Sequence, residues 1–266
     1  MRATWLTDIH LNFLRPHALG QFYARLKAEA PDALLVTGDI AESDSVVRFL
    51  NELVAESGAH VYFVLGNHDY YRSTIRVVRD EVQRASPRAT WLPALEAIQI
   101  SDGVVMIGVD GWGDARCGDV ASKVQLSDWN LIEDFRRYKA DQPGRVEMLQ
   151  RLGNNEARSL KERLARAPAT AELLVLTHVP PFPEACIYDG VPSDPAYLPW
   201  FTCIATGEVL RDYATAHPDT RVTVLCGHSH GVGTFAPLPN LEVRTGGWPP
   251  GVEGYGNPIV QLTLDL

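Results

Sequence analysis

Five short blocks of the sequence bring together side chains that bind metal ions or transfer protons. The blocks are Asp8-Ile9-His10, Gly38-Asp39-Ile40-Ala41-Glu42, Gly66-Asn67-His68-Asp69, His178-Val179-Pro180-Pro181 and Gly227-His228-Ser229-His230. Imidazole, carboxylate and amide ligands together suit first-row ions such as Mn, Fe or Zn better than Mg. Two such ions bridged by one carboxylate can hold both oxygens of an in-line displacement. The blocks therefore indicate metal-dependent hydrolytic chemistry.

Each block follows a short apolar run of the kind that forms a buried strand. The runs are residues 4–7, 33–37, 60–65, 173–177 and 222–226. Ligands of open α/β sheets gather at the carboxyl ends of the strands, so we expect the five strand ends to meet in one crevice. Turn chemistry explains any single block, such as the Gly-Asn pair of the third, but it does not explain five blocks in the same structural position.

Between these strands the apolar spacing becomes helical. Helices are predicted from Leu19, Phe22, Tyr23 and Leu26, from residues 46–54, from residues 75–82 and from a long charged stretch at 148–164. Alternation of strands and helices up to about residue 70 predicts parallel pairing with right-handed crossovers. Later apolar runs at 97–100, 104–109, 241–245 and 259–264 predict a second, more antiparallel set of strands.

Length and composition favour a single domain spanning residues 1–266, since no composition shift or Gly/Ser linker divides a chain with 45% hydrophobic residues. The net charge of −9 and the pI near 5.4 disfavour a nucleic acid partner. No apolar run approaches membrane-spanning length and no secretory h-region is visible, so we expect a cytoplasmic protein. The four cysteines lack Cys-x-x-Cys spacing, which favours reduced thiols and leaves pairing of Cys186 with Cys203 open.

Taken in order, the five blocks resemble the signature of the calcineurin-like metallophosphoesterase superfamily. That signature is D-x-H, then G-D-x-x-[DEN], G-N-H-[DE], a solitary His, and G-H-x-H. The resemblance spans residues 8–231, which is most of the chain. It implies an α/β (mixed α+β) fold, a four-layer αββα sandwich of two mixed β-sheets flanked by helices.

The resemblance also implies a role for each residue of the blocks. One metal ion would be bound by Asp8, His10 and His230, and a second by Asn67, His178 and His228, with Asp39 bridging the two. His68 would act as the general acid, and Asp69 would orient its ring and raise its pKa. The chain would then be a phosphoric ester hydrolase that uses two divalent ions, Mn, Fe or Zn, and a metal-bound hydroxide that attacks phosphorus directly.

The substrate is less well specified. The second block lacks the Arg with which the protein phosphatase branch of the family binds phosphate, so a small phosphodiester or phosphomonoester is favoured. The alternatives are a nuclease, for which a basic tract is expected and none is visible, and an inactive scaffold like the retromer subunit of this fold, for which lost ligands are expected. We predict loop insertions near the site at about 110–142 and 181–204, and Arg116 as the cation that contacts the phosphate.

Overall fold

Two β-sheets packed face to face form the centre of the computed structural model, which describes residues 1–251 and 260–266. In chain order the strands are β1 (Arg2–Leu6), β2 (Ala33–Thr37), β3 (His60–Val64), β4 (Ala89–Trp91), β5 (Ile98–Ser101), β6 (Val104–Gly108), β7 (Glu172–Leu176), β8 (Ile187–Tyr188), β9 (Val191–Pro192), β10 (Arg221–Cys226), β11 (Gly233–Leu238), β12 (Leu241–Thr245) and β13 (Val260–Asp265). The first sheet has the order β13-β1-β2-β3-β4 and the second β11-β12-β10-β7-β6-β5, while β8 and β9 form a separate hairpin.

In chain order the helices are α1 (Pro16–Glu29), α2 (Val46–Ser57), α3 (Ile75–Val82), α4 (Asp128–Leu131), α5 (Gln142–Arg166), α6 (Leu198–Phe201) and α7 (Ile204–Ala216). The longer helices flank the two sheets, and the one-turn helices α4 and α6 belong to the two insertions. The predicted helices are observed as α1, α2, α3 and α5. The predicted α1 spacing is explained by the side chains of Phe22, Tyr23 and Leu26, which the helix buries in the core. At the start of α3 the Thr74 side chain accepts a hydrogen bond from the N–H of Val77, a typical N-cap.

Period-2 alternation along the strands produces separate layers of core. Within β2, Leu34 and Val36 pack in the cluster beneath α1 and α2, whereas Ala33 and Leu35 pack in the cluster between the two sheets. A third cluster joins the second sheet to α5 and α7. Strands with both faces buried need continuous apolar runs, which is why these strands were recognisable in the sequence. The predicted αββα sandwich of two mixed sheets is confirmed.

The predicted second, more antiparallel set of strands is observed at the edges of the second sheet but not in its centre. Strands β6, β7, β10 and β12 are parallel neighbours, and only the edge strands β5 and β11 pair antiparallel. The crossover from β6 to β7 contains α5, the crossover from β7 to β10 contains α7, and the connection from β10 to β12 contains β11. The last strand is observed as Val260–Asp265 and joins β1 in the first sheet; Ile259 lies outside the described residues.

The insertion at 110–142 is packed against the domain. Trp129 and Phe135 are buried and their rings stack at 5.1 Å between centroids. Two hydrogen bonds tie the insertion to the segment after the third block: the N–H of Arg72 donates to the carbonyl of Leu131 at 2.7 Å, and the N–H of Ile75 donates to Asp134 Oδ2 at 2.8 Å. Buried aromatic rings and backbone bonds of this kind fix a segment in one position.

The second insertion, 181–204, contains the β8–β9 hairpin and α6. Two of its aromatic side chains, Phe182 and Trp200, are buried in the domain, whereas Tyr188 is largely exposed. All four cysteines of the chain are free thiols, including Cys186 and Cys203, which agrees with the expectation of reduced thiols. None of the helices in the described part of the chain has both the length and the apolar character needed to cross a bilayer.

Candidate metal centre

The structure brings together all seven side chains predicted to bind metal. Each lies just beyond the carboxyl end of a strand: β1, β2, β3, β7 or β10. Five of the seven have a left-handed backbone, with φ between 40° and 67°: Asp8, His10, Asp39, His228 and His230. Non-glycine residues adopt this conformation rarely, and it concentrates where a functional geometry must be held. The sharp turns let the chain leave each strand while its side chain points into a shared centre.

Asp39 lies between two groups of ligand atoms. The first group joins it to Asp8, His10 and His230, and the second joins it to His178 and His228; within each group the ligand atoms lie within 4.8 Å of one another. Its Oδ2 is 3.7 Å from His10 Nε2, and its Oδ1 is 3.5 Å from His178 Nε2. The two carboxylate oxygens thus face different groups, as expected for a residue that bridges two ions.

The second group fits a cation on chemical grounds. Nδ1 of His178 lies 2.8 Å from the carbonyl oxygen of Thr37, which accepts the proton on Nδ1 and leaves Nε2 with a free lone pair. Asn67 Oδ1 lies 3.2 Å from that Nε2, and His228 Nδ1 lies at the same distance from it. A carbonyl oxygen and an unprotonated nitrogen repel each other at this separation, and a cation between them removes the repulsion.

The electrostatics of the centre agree with metal binding. Burial lowers the pKa of His10, His178 and His228, so these imidazoles are neutral, the form that coordinates metal. Burial raises the pKa of Asp39, and the negative charge of Asp8 adds to that effect. Burial also raises the pKa of Asp8, but the hydrogen bond and charge of His230 outweigh it, and the net pKa is lowered. Two buried carboxylates side by side favour a bound cation.

Two glycines permit the close approach of these loops. A Cβ built on Gly66 would overlap Asp39 Oδ1 and lie 2.7 Å from His178 Cε1. A Cβ built on Gly227 would overlap Asp8 Oδ2 and the Thr7 hydroxyl. Since real Cβ atoms do not approach other atoms so closely, any larger residue at either position would push the ligand loops apart.

His68 and Asp69 are neighbours in sequence but serve different parts of the site. The His68 ring lies beside the first group, 4.7 Å from the His10 ring and 4.3 Å from the Tyr71 ring between centroids. Asp69 instead accepts hydrogen bonds from the backbone N–H groups of Ile40, Ala41 and Gly66. These bonds hold the second and third blocks together.

The expectation that Asp69 raises the pKa of His68 does not agree with the structure. Burial, followed by the charges of His230 and His178, lowers the pKa of His68 to about 3. Residues 68–70 form a 3-10 helix, in which consecutive side chains point about 120° apart because there are roughly three residues per turn. Asp69 is therefore directed towards the loops of the second and third blocks, while the His68 ring stays beside the metal-ligand groups.

Arg116 does not lie where a phosphate contact was predicted. Its Nη1 donates to Asp114 Oδ2 at 2.8 Å and its Nη2 donates to Asn154 Oδ1 at 2.7 Å. Asp114 is fully buried and also accepts the N–H of Ala205 at 2.9 Å. This arrangement favours a structural role for Arg116, joining the first insertion to α5 and α7.

A cavity of about 210 Å³ opens beside the two groups of ligand atoms. Ligand residues line one side of it, and the other side is built from Tyr71, Phe201 and the segment Gln125–Asp128. Phe201 stacks on the His228 ring at 4.2 Å between centroids, so the second insertion also contributes to the cavity. Residues of both segments, 110–142 and 181–204, thus line this cavity, and the sequence did not single them out as ligands.

A buried polar network that the sequence analysis missed supports the centre from behind. Asp110 is fully buried and accepts hydrogen bonds from the N–H of Leu65, the indole of Trp91 and the hydroxyl of Tyr70, at 2.8–2.9 Å. It also pairs with Arg79 at 2.8 Å. Its own carbonyl accepts the N–H of His178 at 2.8 Å. Asp110 directly follows a predicted strand, which is the same signal that identified the ligands.

We expect Asp110→Ala to destabilise the protein by about 3–5 kcal/mol, because it leaves Arg79 without one partner and three donors, two of them buried, without this acceptor. Urea titration of the purified variant measures this change. Asp80→Ala is the matched control. Asp80 is the neighbour of Arg79 on α3 and forms an exposed pair with Arg76, so its loss should change stability by less than about 1 kcal/mol. Equal midpoints for the two variants would contradict the expectation.

The fold and the site define the class of this protein. It is a two-sheet α/β sandwich with a His- and carboxylate-rich centre at its strand ends, and such a centre is suited to metal-dependent hydrolysis. Comparison with protein families gives the finer assignment. Residues 1–232 match the model of the calcineurin-like phosphoesterase family. The chain belongs to the calcineurin-like phosphoesterase family.

Individual relatives are more distant and agree with this assignment. A UDP-2,3-diacylglucosamine hydrolase from Stenotrophomonas maltophilia (strain K279a) is 32% identical over 83 residues, which are 26% of this chain and 33% of that enzyme. A phosphopantetheinyl hydrolase structure from Mycobacterium tuberculosis superposes with a TM-score of 0.67 at 16% identity, covering 93% of this chain and 89% of the other. A dimetal phosphatase structure from Danio rerio gives 0.55 at 14% identity, with 93% and 87% covered. At such identities the two structures show the fold alone.

Proposed function

We propose that the protein hydrolyses a small phosphate ester at a centre of two divalent metal ions. The observation that carries the proposal is the Asp39 carboxylate, with one oxygen facing His10 and the other facing His178. Asp8, His10 and His230 would hold one ion, and Asn67, His178 and His228 the other. When bound, two such ions would neutralise the phosphoryl oxygens and lower the pKa of water, which supplies the nucleophile near neutral pH.

The chain's own residues would hold the substrate and deliver a proton. The His68 ring lies at the cavity beside the first group of ligand atoms, within the region where a leaving oxygen would depart. Tyr71 and Phe201 provide aromatic walls on which the organic part of an ester can pack. The structure contains no Ser or Cys among the residues that line this cavity apart from Ser127, so direct attack by water is favoured over a covalent intermediate.

The charges around the cavity favour a phosphodiester over a phosphomonoester. The residues that line it include neither Lys nor Arg, and they include the carboxylate of Asp128. A monoester carries a second negative charge near pH 7, since the second pKa of a phosphate ester is about 6. A diester carries one, so it needs no cation from the cavity wall and is repelled less by the Asp128 carboxylate. The sequence of residues 252–259, which the structure does not describe, contains no Lys or Arg either.

We therefore expect the metal-loaded protein to hydrolyse bis-p-nitrophenyl phosphate with a higher kcat/KM than p-nitrophenyl phosphate. The measurement uses metal-stripped protein supplied in turn with Mn, Fe, Zn and Mg, and the imidazole-rich ligands should make Mg the poorest of the four. Leu126→Arg, which adds a cation to the cavity wall, should shift the preference towards the monoester, whereas Leu126→Gln should not. A monoester preference in the unmodified protein would contradict the substrate assignment.

A further inference from the structure

Hydrogen bonds from the Asn67 amide nitrogen decide which end of the amide faces the second group of ligand atoms, and the longer of them runs to the Tyr71 hydroxyl at 3.4 Å. Asn67 Nδ2 donates to Asp128 Oδ1 at 3.0 Å, and the hydroxyl of Tyr71 donates to the same oxygen at 2.7 Å. We infer that Asp128 is a positioning residue for the second metal site, because it fixes the Asn67 amide with its oxygen towards the ion. The inference rests on the proposed function.

The geometry leaves only one orientation of the amide. A carboxylate oxygen accepts hydrogen bonds and an amide oxygen also accepts them, so a reversed Asn67 would place two acceptors against each other. Asn67, Tyr71 and Asp128 are each at most 8% exposed, and water therefore gives the reversed state little relief. The result is an amide oxygen 3.2 Å from His178 Nε2.

The reversed amide would also damage the site in a specific way. Its NH2 group would point at Nε2 of His178 and donate a hydrogen bond to it, since the Nδ1 proton of that ring is already given to Thr37. That bond would occupy the lone pair intended for the ion. Loss of Asp128 would thus weaken two ligands at once, through a competing hydrogen bond rather than through a change of fold.

Packing holds Asp128 ready for this role. It is the first residue of α4, and the neighbouring Trp129 is 2% exposed. The guanidinium of Arg145 lies 4.7 Å from the centroid of the Trp129 ring. The carbonyl of Leu131, at the end of the same helix, accepts the backbone N–H of Arg72. A carboxylate on so short a segment, anchored by these contacts, has little freedom to leave Asn67.

The test is to measure Mn²⁺ binding to the metal-stripped protein by calorimetry. In Asp128→Ala one of two sites should lose affinity by about 10–100-fold, as is typical when an outer partner of a metal ligand is removed, and the other site should keep its affinity. Asn67→Ala should weaken the same site. The double variant should bind no more weakly than Asn67→Ala, because Asp128 acts through Asn67.

Two further variants separate positioning from structural support. Asp134→Ala removes another carboxylate that anchors the same insertion, through the N–H of Ile75, but does not contact Asn67; both sites should keep their affinity in it. Asp128→Asn preserves volume and replaces a charged acceptor by a neutral one, so it should weaken the Asn67 site by less than Asp128→Ala does. If Asp128→Ala does not fold, Asp128→Asn decides the question by itself: one site should bind Mn²⁺ more weakly than in the wild type, and the other should keep its affinity.

The outcomes distinguish this inference from the proposed function. Wild-type protein that binds two ions, beside Asp128 variants that bind two ions with unchanged affinity, would overturn the inference alone. Equal weakening of both sites, or the same loss in Asp134→Ala, would show that Asp128 only supports the fold. Wild-type protein that binds fewer than two ions would overturn the proposed centre itself.

Discussion

Replacing Asp39 by Asn should remove bound metal from both sites and reduce kcat/KM by more than about 10²-fold. This loss is larger than the roughly 10–100-fold that is typical when a residue contacting a metal ligand is removed, because Asp39 would be a ligand itself. Each oxygen of Asp39 faces a different group of ligands, so the substitution removes a negatively charged ligand from both groups. Asn is chosen because Asp39 has a φ of 52°, a conformation that Asn tolerates. Asn also keeps an oxygen to accept the N–H of His68.

Metal content of the purified variant, measured by elemental analysis beside the activity assay, tests this expectation. Asp102→Asn is the matched control, since Asp102 is an exposed carboxylate in the turn between β5 and β6. It should retain wild-type metal content and turnover. Two equivalents of tightly bound metal in Asp39→Asn would refute the bridging role, whatever the activity.

Replacing His68 by Ala should leave both ions bound and slow the hydrolysis of esters with poor leaving groups by about 10²–10⁴-fold, the usual contribution of a general acid. Activated aryl esters should slow much less, because their leaving groups depart without a proton. The ring is positioned for this task beside His10 and Tyr71. In the protein alone its pKa is lowered to about 3, and the negative charge of a bound phosphoester acts to raise it.

The measurement is kcat/KM across a series of aryl esters with increasing leaving-group pKa, for wild type and His68→Ala. The slope against leaving-group pKa should become steeper in the variant. His17→Ala is the control, since His17 is an exposed histidine on α1. Equal slowing of every ester would assign His68 a binding role and would contradict proton transfer.

The ligand residues were accessible from sequence because each is determined locally. A buried strand and a ligand side chain follow one another within a few residues, with a glycine between them in the second, third and fifth blocks. Parallel strands deliver their carboxyl ends to the same edge. The structure brings all seven residues together on that basis, including Asn67, whose side chain alone is a weak signal. The αββα arrangement was implied by the resemblance to the calcineurin-like family, and the apolar runs and the periodicity of α1 and α2 were compatible with it.

What the sequence did not provide depends on contacts between distant segments. Asp128 follows no apolar run and carries no motif, and its position beside Asn67 is set by the packing of Trp129 and Phe135. The parallel centre of the second sheet depends on where α5 and α7 return the chain. Asp69 was assigned to His68 because the two are adjacent, although adjacent residues in a 3-10 helix point in different directions. Arg116 was predicted to contact the phosphate because a guanidinium suits that role, but in the structure it pairs with the buried carboxylate of Asp114.

The most direct test of the binuclear account is a titration of metal-stripped protein with Mn²⁺, in which bound equivalents and hydrolysis of bis-p-nitrophenyl phosphate are followed together. We predict that two equivalents bind per chain and that turnover rises only as the second site fills. Full turnover in the stripped protein, or saturation of binding and turnover at one equivalent, would contradict a centre built from two groups of ligands around Asp39.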